Sequence, residues 1–96
     1  MAGTPEGKVK RKVTRVLKGA EKCYYFMPVQ TGYGSPTLDY LGTSRGRGFA
    51  IETKAPGKVP TMRQKIIINE MKHAEMKVFV IDGAPAQYEE LRLWLF

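Results

Sequence analysis

The sequence predicts a small α/β domain with the element order α-β-β-β-α-β-α and a mixed sheet flanked by helices. Three observations predict it. Apolar residues recur at helical spacing near both ends of the chain. Short aromatic or β-branched runs lie between them, as in Cys23-Tyr24-Tyr25-Phe26 and Val78-Phe79-Val80-Ile81. Clusters of glycine and proline punctuate the chain at each change of pattern. The 96 residues make one domain, 1–96. A core this small is marginal, so oligomerisation is a natural source of extra burial.

Residues 1–5 read as a loose start. Residues 6–18 read as a helix, with Val9, Val13, Val16 and Leu17 on one stripe, Thr4 as N-cap, Pro5 at the first helical position and Gly19 as the stop. Residues 23–27 are aromatic-rich and read as a strand ended by Pro28. Residues 31–36 form a loop by their glycines and proline. Residues 38–42 are a short strand, 43–48 a turn, and 49–54 a second strand, so these pair as a hairpin. After the 55–60 loop, Thr61 opens a helix that runs to about residue 74. Residues 77–82 are a buried-looking strand, broken by Gly83. Residues 84–96 are a terminal helix with Tyr88, Leu91 and Leu95 on one face. Leu93, Trp94 and Phe96 are left on its other faces. Such a patch marks an interface, unless the tail wraps the core of its own small domain.

Sixteen basic residues stand against nine acidic ones, a formal charge of +7. That charge fits a densely anionic partner such as nucleic acid, and it also serves solubility. Cys23 is the single cysteine and His73 the single histidine. No intramolecular disulfide, cysteine-based zinc site or two-histidine zinc site is therefore available. Ser35 and Ser44 sit in Gly-rich loops and His73 late in a helix, so a Ser-His-Asp triad is excluded. The chain shows no signal peptide and no apolar run near about 18 residues, and a reducing, cytoplasmic setting is the default expectation.

Phe49, Ile51 and Thr53 alternate with Ala50, Glu52 and Lys54, the period of a half-buried strand. Glu52 and Lys54 then point to the same face. With Asp39 nearby, acids able to hold a hard divalent cation stand beside a lysine able to orient water or offset phosphate charge. A solvated strand face with a surface ion pair gives the same tripeptide. Glu6 lies on the edge of the buried stripe of an otherwise cationic helix, which carries seven basic residues between Lys8 and Lys22. Its carboxylate either favours the helix N-terminus or supplies a third metal ligand. Gln64 fits a capping box with Thr61 and also falls on the first turn of the helix that follows the Lys54 strand. Arg63 and Lys65 beside it suit phosphate contact.

These parts together resemble the VRR-NUC domain, the virus-type replication-repair nuclease branch of the PD-(D/E)xK superfamily. The resemblance spans Thr4 to about Gly83. It is carried by Pro5-Glu6-Gly7-Lys8-Val9, by Gly32-Tyr33-Gly34-Ser35-Pro36-Thr37-Leu38-Asp39-Tyr40, by Ile51-Glu52-Thr53-Lys54-Ala55-Pro56-Gly57-Lys58, and by Gln64. The chain is similar in particular to the short stand-alone forms of bacteriophages, which implies a host-cell cytoplasm if it is phage-encoded. The resemblance implies a restriction-endonuclease-like core, with metal held by Glu6, Asp39, Glu52 and the backbone carbonyl of Thr53, and with Lys54 and Gln64 completing the site. It further implies branched substrates such as four-way junctions, cut by a homodimer. Leu38 stands where the family often has proline, which loosens the match at that loop.

The sequence thus leads to a Mg²⁺- or Mn²⁺-dependent DNA endonuclease. Lys8, Lys10, Arg11, Lys12, Arg15, Arg45, Arg47, Lys58, Arg63 and Lys65 are its expected DNA contacts, tracking the backbone without reading sequence. The alternative is a non-catalytic basic DNA-binding module. Acids close to a bound phosphate weaken such a module unless a cation intervenes.

Overall fold

A computed structural model describes residues 3–29 and 36–96. The order is α1 (Pro5–Lys18), β1 (Cys23–Phe26), β2 (Tyr40–Ser44), β3 (Arg47–Thr53), α2 (Met62–His73), β4 (Lys77–Ile81) and α3 (Pro85–Leu95). This is the expected order. The four strands form one sheet in the order β1-β2-β3-β4, antiparallel except for the β3–β4 pair. A parallel pair needs a crossover, and α2 supplies it. The glycine-rich segment predicted at 31–36 falls mostly outside the described residues.

The hairpin is tighter than expected. Strand β2 starts two residues later than the sequence indicates and runs on to Ser44, so only Arg45 and Gly46 remain as the turn. Both have positive φ, 53° and 79°. That is the two-residue hairpin geometry whose twist matches the flanking strands. Glycine gives no steric resistance there, and Arg45 absorbs the cost at the other position.

Two apolar layers enclose the sheet. Val9, Val13, Val16 and Leu17 of α1 and Tyr88, Leu91 and Leu95 of α3 pack on Tyr40, Phe49, Ile51, Phe79 and Ile81. On the opposite face Ile67 and Ile68 of α2 meet Leu38 and Ala50, with Leu41, Val78 and Val80 alongside. Strand β3 is therefore buried on both faces from Phe49 to Thr53, not on one as its alternation indicates. The reason is tertiary: β3 lies inside the sheet, and α2 covers the face that carries Ala50 and Glu52. Trp94 also departs from expectation. It packs edge-on against Phe49 and Phe79, at ring separations of 5.8 and 5.7 Å, so only Leu93 and Phe96 of the tail remain exposed. Among the described residues no helix is long and apolar enough to cross a membrane.

Thr4 caps α1 by accepting from the Gly7 amide at 2.9 Å, and Glu6 sits in the first turn as the helix dipole favours. The helix is tied to the sheet by Tyr40. This hydroxyl donates to the Lys10 carbonyl at 3.0 Å and lies 2.7 Å from the Thr14 hydroxyl. Tyr40 follows Asp39 directly, so the same tie sets α1 against the end of β2. Replacing Tyr40 by Phe removes both bonds while keeping the ring. Denaturant unfolding of Tyr40→Phe is expected to show a loss of about 1–2 kcal/mol.

Candidate active site

The parallel register continues one step past the strands, where the Lys54 amide donates to the Ile81 carbonyl at 2.9 Å. Glu52, Thr53 and Lys54 therefore stand at the carboxyl end of β3, beside the end of β4. Strand β2 runs antiparallel, with Tyr40 opposite Ile51, so Asp39 at its start arrives at the same edge. Asp39 is clamped there. Its Oδ2 accepts from the Thr53 amide at 2.9 Å and from the Thr53 hydroxyl at 2.7 Å. Such charge-assisted bonds are stronger than neutral ones.

Glu52 is the centre of the cluster. Its side chain is only 4% exposed. Gln64 Nε2 donates to its Oε2 at 2.8 Å, and the Lys54 ammonium stands 3.4 Å from the same oxygen. Its Oε1 is buried with no hydrogen-bond partner. Gln64 fills both of the roles the sequence allows. Its Oε1 accepts from the Thr61 amide at 2.9 Å while the Thr61 hydroxyl accepts from the Gln64 amide at 3.2 Å, a complete capping box. The other end of the Gln64 side-chain amide, Nε2, donates to Glu52. Capping the helix thus fixes the donor that holds the carboxylate.

Burial pushes the Glu52 carboxyl up to about 7, with the neighbouring Asp39 charge adding to the effect and Lys54 opposing it. A buried carboxylate with an unpartnered oxygen, beside a second acid, fits a hard divalent cation. The donors are all oxygen, as a hard cation prefers. Glu52 Oε1 and Asp39 Oδ1 are the oxygens that backbone and amide donors leave open. Among the described residues no group of three or more histidine, cysteine or acidic side chains converges as a metal cluster. Glu6 is turned instead to Lys10, 3.3 Å away.

Lys10 departs from the expectation of an outward phosphate contact. Its ammonium faces the site, 3.7 Å from Asp39 Oδ1 as well as beside Glu6. Burial lowers its pKa, but Asp39 and Glu6 outweigh this and hold it above the ordinary lysine value. The four-residue spacing from Glu6 was the available signal.

The other basic residues fall into three groups. Lys8, Arg11, Lys12 and Arg15 are exposed on α1. Lys8 and Lys12 edge a hollow with Pro56 and Gly83, and Lys12 and Arg15 edge a second one with Tyr88 and Arg92 of α3. Lys12 also lies over the Tyr88 ring, 4.8 Å from its centre. Arg92, at the edge of that second hollow, is paired with Glu89 at 2.9 Å. Lys58, Arg63 and Lys65 are exposed on the loop and first helical turn next to Gln64. Arg45 and Arg47 sit at the opposite end of β3, roughly 17 Å along the strand from Glu52. The Arg47 guanidinium stacks on Trp94 at 4.1 Å and donates to the Trp94 carbonyl.

One end of the mixed sheet thus gathers two acids, a lysine and a helix-borne amide. A solved structure described as a VRR_NUC domain superposes on the chain with a TM-score of 0.78, covering 98% of this chain and all of its own, at 20% sequence identity. The chain therefore has the VRR_NUC fold. No protein-family model and no curated protein sequence matches it.

The raised Glu52 carboxyl has a stability consequence. Its ordinary value is 4.5 and its folded value about 7, so the folded chain binds this proton more tightly than the unfolded chain. Stability from this group is present below the unfolded value and is lost as pH rises through that window. In EDTA, thermal unfolding of the wild type is expected to fall between those limits more steeply than that of Glu52→Gln. At pH 8 the variant should be the more stable, by on the order of 2 kcal/mol. Parallel pH profiles of the two proteins refute this assignment.

Proposed function

We propose that this chain is a divalent-cation-dependent DNA endonuclease that hydrolyses phosphodiester bonds, with branched DNA such as four-way junctions as its substrate class. The observation that carries the reading is the buried Glu52 carboxylate. One oxygen is held by Gln64 and Lys54 while the other is left without a partner beside Asp39. The VRR_NUC fold supports it. A rigid, partly neutralised carboxylate with a spare buried oxygen has a physical reason to exist in a cation site, and no structural reason on a DNA-binding surface.

Asp39 and Glu52 would hold the cation, with the Thr53 carbonyl and Glu6 completing the set. A Mg²⁺ or Mn²⁺ ion held by these residues would supply charge neutralisation at the scissile phosphate and would make water more acidic. The chain's own groups do the rest. Thr53 fixes Asp39, and Gln64 fixes Glu52. Lys54 orients the attacking water and assists its deprotonation. Water adds to phosphorus as the bond to the leaving sugar oxygen breaks, and that oxygen takes up a proton. The exposed cations of α1, with Lys58, Arg63 and Lys65, track the backbone on either side. Arg45 and Arg47 lie far enough along β3 to reach only a distal part of a substrate.

Two symmetric cuts across a junction need two such sites, so the acting species is a homodimer. Exposed apolar side chains supply its contacts: Leu93 and Phe96 at 70 and 49% exposure, and Tyr24 and Phe26 of edge strand β1 at 72 and 50%. The lone Cys23 thiol accords with a reducing cytoplasm.

Cleavage of linear, flap and four-way DNA in Mg²⁺, Mn²⁺, Ca²⁺ and EDTA tests the activity. Cutting is expected with Mg²⁺ or Mn²⁺, and binding without efficient cutting with Ca²⁺. Glu52→Gln and Lys54→Ala should each lower cleavage by at least about a hundredfold with DNA affinity retained. Tight binding with no cutting under any cation would make the chain a binding module. Full cutting in EDTA would remove the cation.

Assembly is tested separately. Sedimentation at micromolar concentration, with and without four-way DNA, is expected to show a dimer. A chain that stays monomeric on the junction rules out the paired-site arrangement even if nuclease activity stands.

A further inference from the structure

Lys10 is the one cation of α1 that turns toward the acids. Its backbone is held in place, because the Tyr40 hydroxyl donates to the Lys10 carbonyl at 3.0 Å. Its ammonium is 3.3 Å from Glu6 Oε2 and 3.7 Å from Asp39 Oδ1, with the side chain 34% exposed. Asp39 has one committed oxygen and one open oxygen. Oδ2 accepts from the Thr53 amide and hydroxyl. Oδ1 faces Lys10. The oxygen that Asp39 has left to offer a metal is therefore the one already occupied by an ammonium.

We propose that Lys10 is the site's resident counter-cation: it bridges Glu6 and Asp39 in the metal-free chain, and a divalent cation binds by displacing it. This rests on the reading of Asp39 and Glu52 as metal ligands. A divalent ion at Asp39 Oδ1 and an ammonium at the same oxygen repel one another across a few ångströms. Lysine suits the exchange. Its charge sits at the end of a flexible four-carbon stem and is readily taken up by water. Release of Lys10 frees the Glu6 carboxylate at the same moment, so Glu6 joins the ligands only when the cation arrives. The arrangement sets a threshold. The protein keeps its acids neutralised without metal, and metal affinity is lower than the acids alone would give.

Titration of the DNA-free protein with Ca²⁺ by calorimetry, and with Mn²⁺ by spin resonance, tests this without any activity readout. Lys10→Met keeps the length of the stem and removes the charge, and Lys10→Gln is a second neutral variant should the first fold poorly. Both are expected to bind Ca²⁺ and Mn²⁺ about two- to fivefold more tightly than wild type, the scale of a partly exposed ion pair. Lys10→Arg, which keeps the charge, should bind no more tightly than wild type. The neutral variants should also melt lower in EDTA and gain more from saturating Ca²⁺. If wild type binds the cation and the folded neutral variants bind it equally or more weakly, the counter-cation role is overturned while the metal site stands. If none of the folded proteins binds either cation, the metal site itself is wrong and this proposal falls with it.

Discussion

The burial of one carboxylate organises this end of the molecule. Glu52 sits on a strand covered on both faces, with its side chain almost removed from water. A charge in that position is costly unless it is held by donors or neutralised. The fold answers with two neighbouring groups and a shifted proton affinity. The capping amide of α2 donates to one oxygen. Lys54, one residue past the end of β3, brings a positive charge to it. The carboxyl's affinity for a proton rises toward neutrality. None of these satisfies the second oxygen, and the compensation is therefore incomplete within the chain alone.

That incompleteness ties stability to function. In the cation site proposed above, oxygen donors must stay open, and an open buried donor weakens the metal-free fold. Only a few elements position the open donors. The antiparallel β2–β3 register brings Asp39 to Thr53. The parallel β3–β4 register sets the shared strand end. Tyr40 pins the helix that carries Glu6 and Lys10. A shift of one residue in either register turns Glu52 to the wrong face of the sheet.

The sequence made the element order legible because helical stripes and short strands are local signals. Val9, Val13, Val16 and Leu17 read as one buried face and are one. It misjudged what depends on neighbours. The alternation in β3 looks half-buried, yet α2 covers the polar face, and nothing within the strand records that cover. Trp94 looked surplus on a helix, but Phe49 and Phe79 come from strands 15 or more residues away in sequence, and only the folded sheet brings them to it. The turn shrinks to Arg45 and Gly46 because Arg45 accepts a positive φ that its residue type gives little reason to expect.

That Asp39, Glu52, Lys54 and Gln64 lie together was legible because each falls in a short segment whose order in the chain resembles a known pattern. Their relations were not. Gln64 offered two readings from sequence, and they turn out to be compatible, since an amide has an acceptor at one atom and donors at the other. Lys10 was counted with its basic neighbours because charge alone does not say where a side chain points. Its place follows from helical geometry joined to a long-range contact: Glu6 lies one turn before it, and Asp39 arrives from a strand 29 residues later in the chain. The cationic helix thus serves two purposes with one composition. Lys8, Arg11, Lys12 and Arg15 face solvent, where a polyanion can reach them. Lys10, on the same helix, is directed at the acids and offsets charge within the protein.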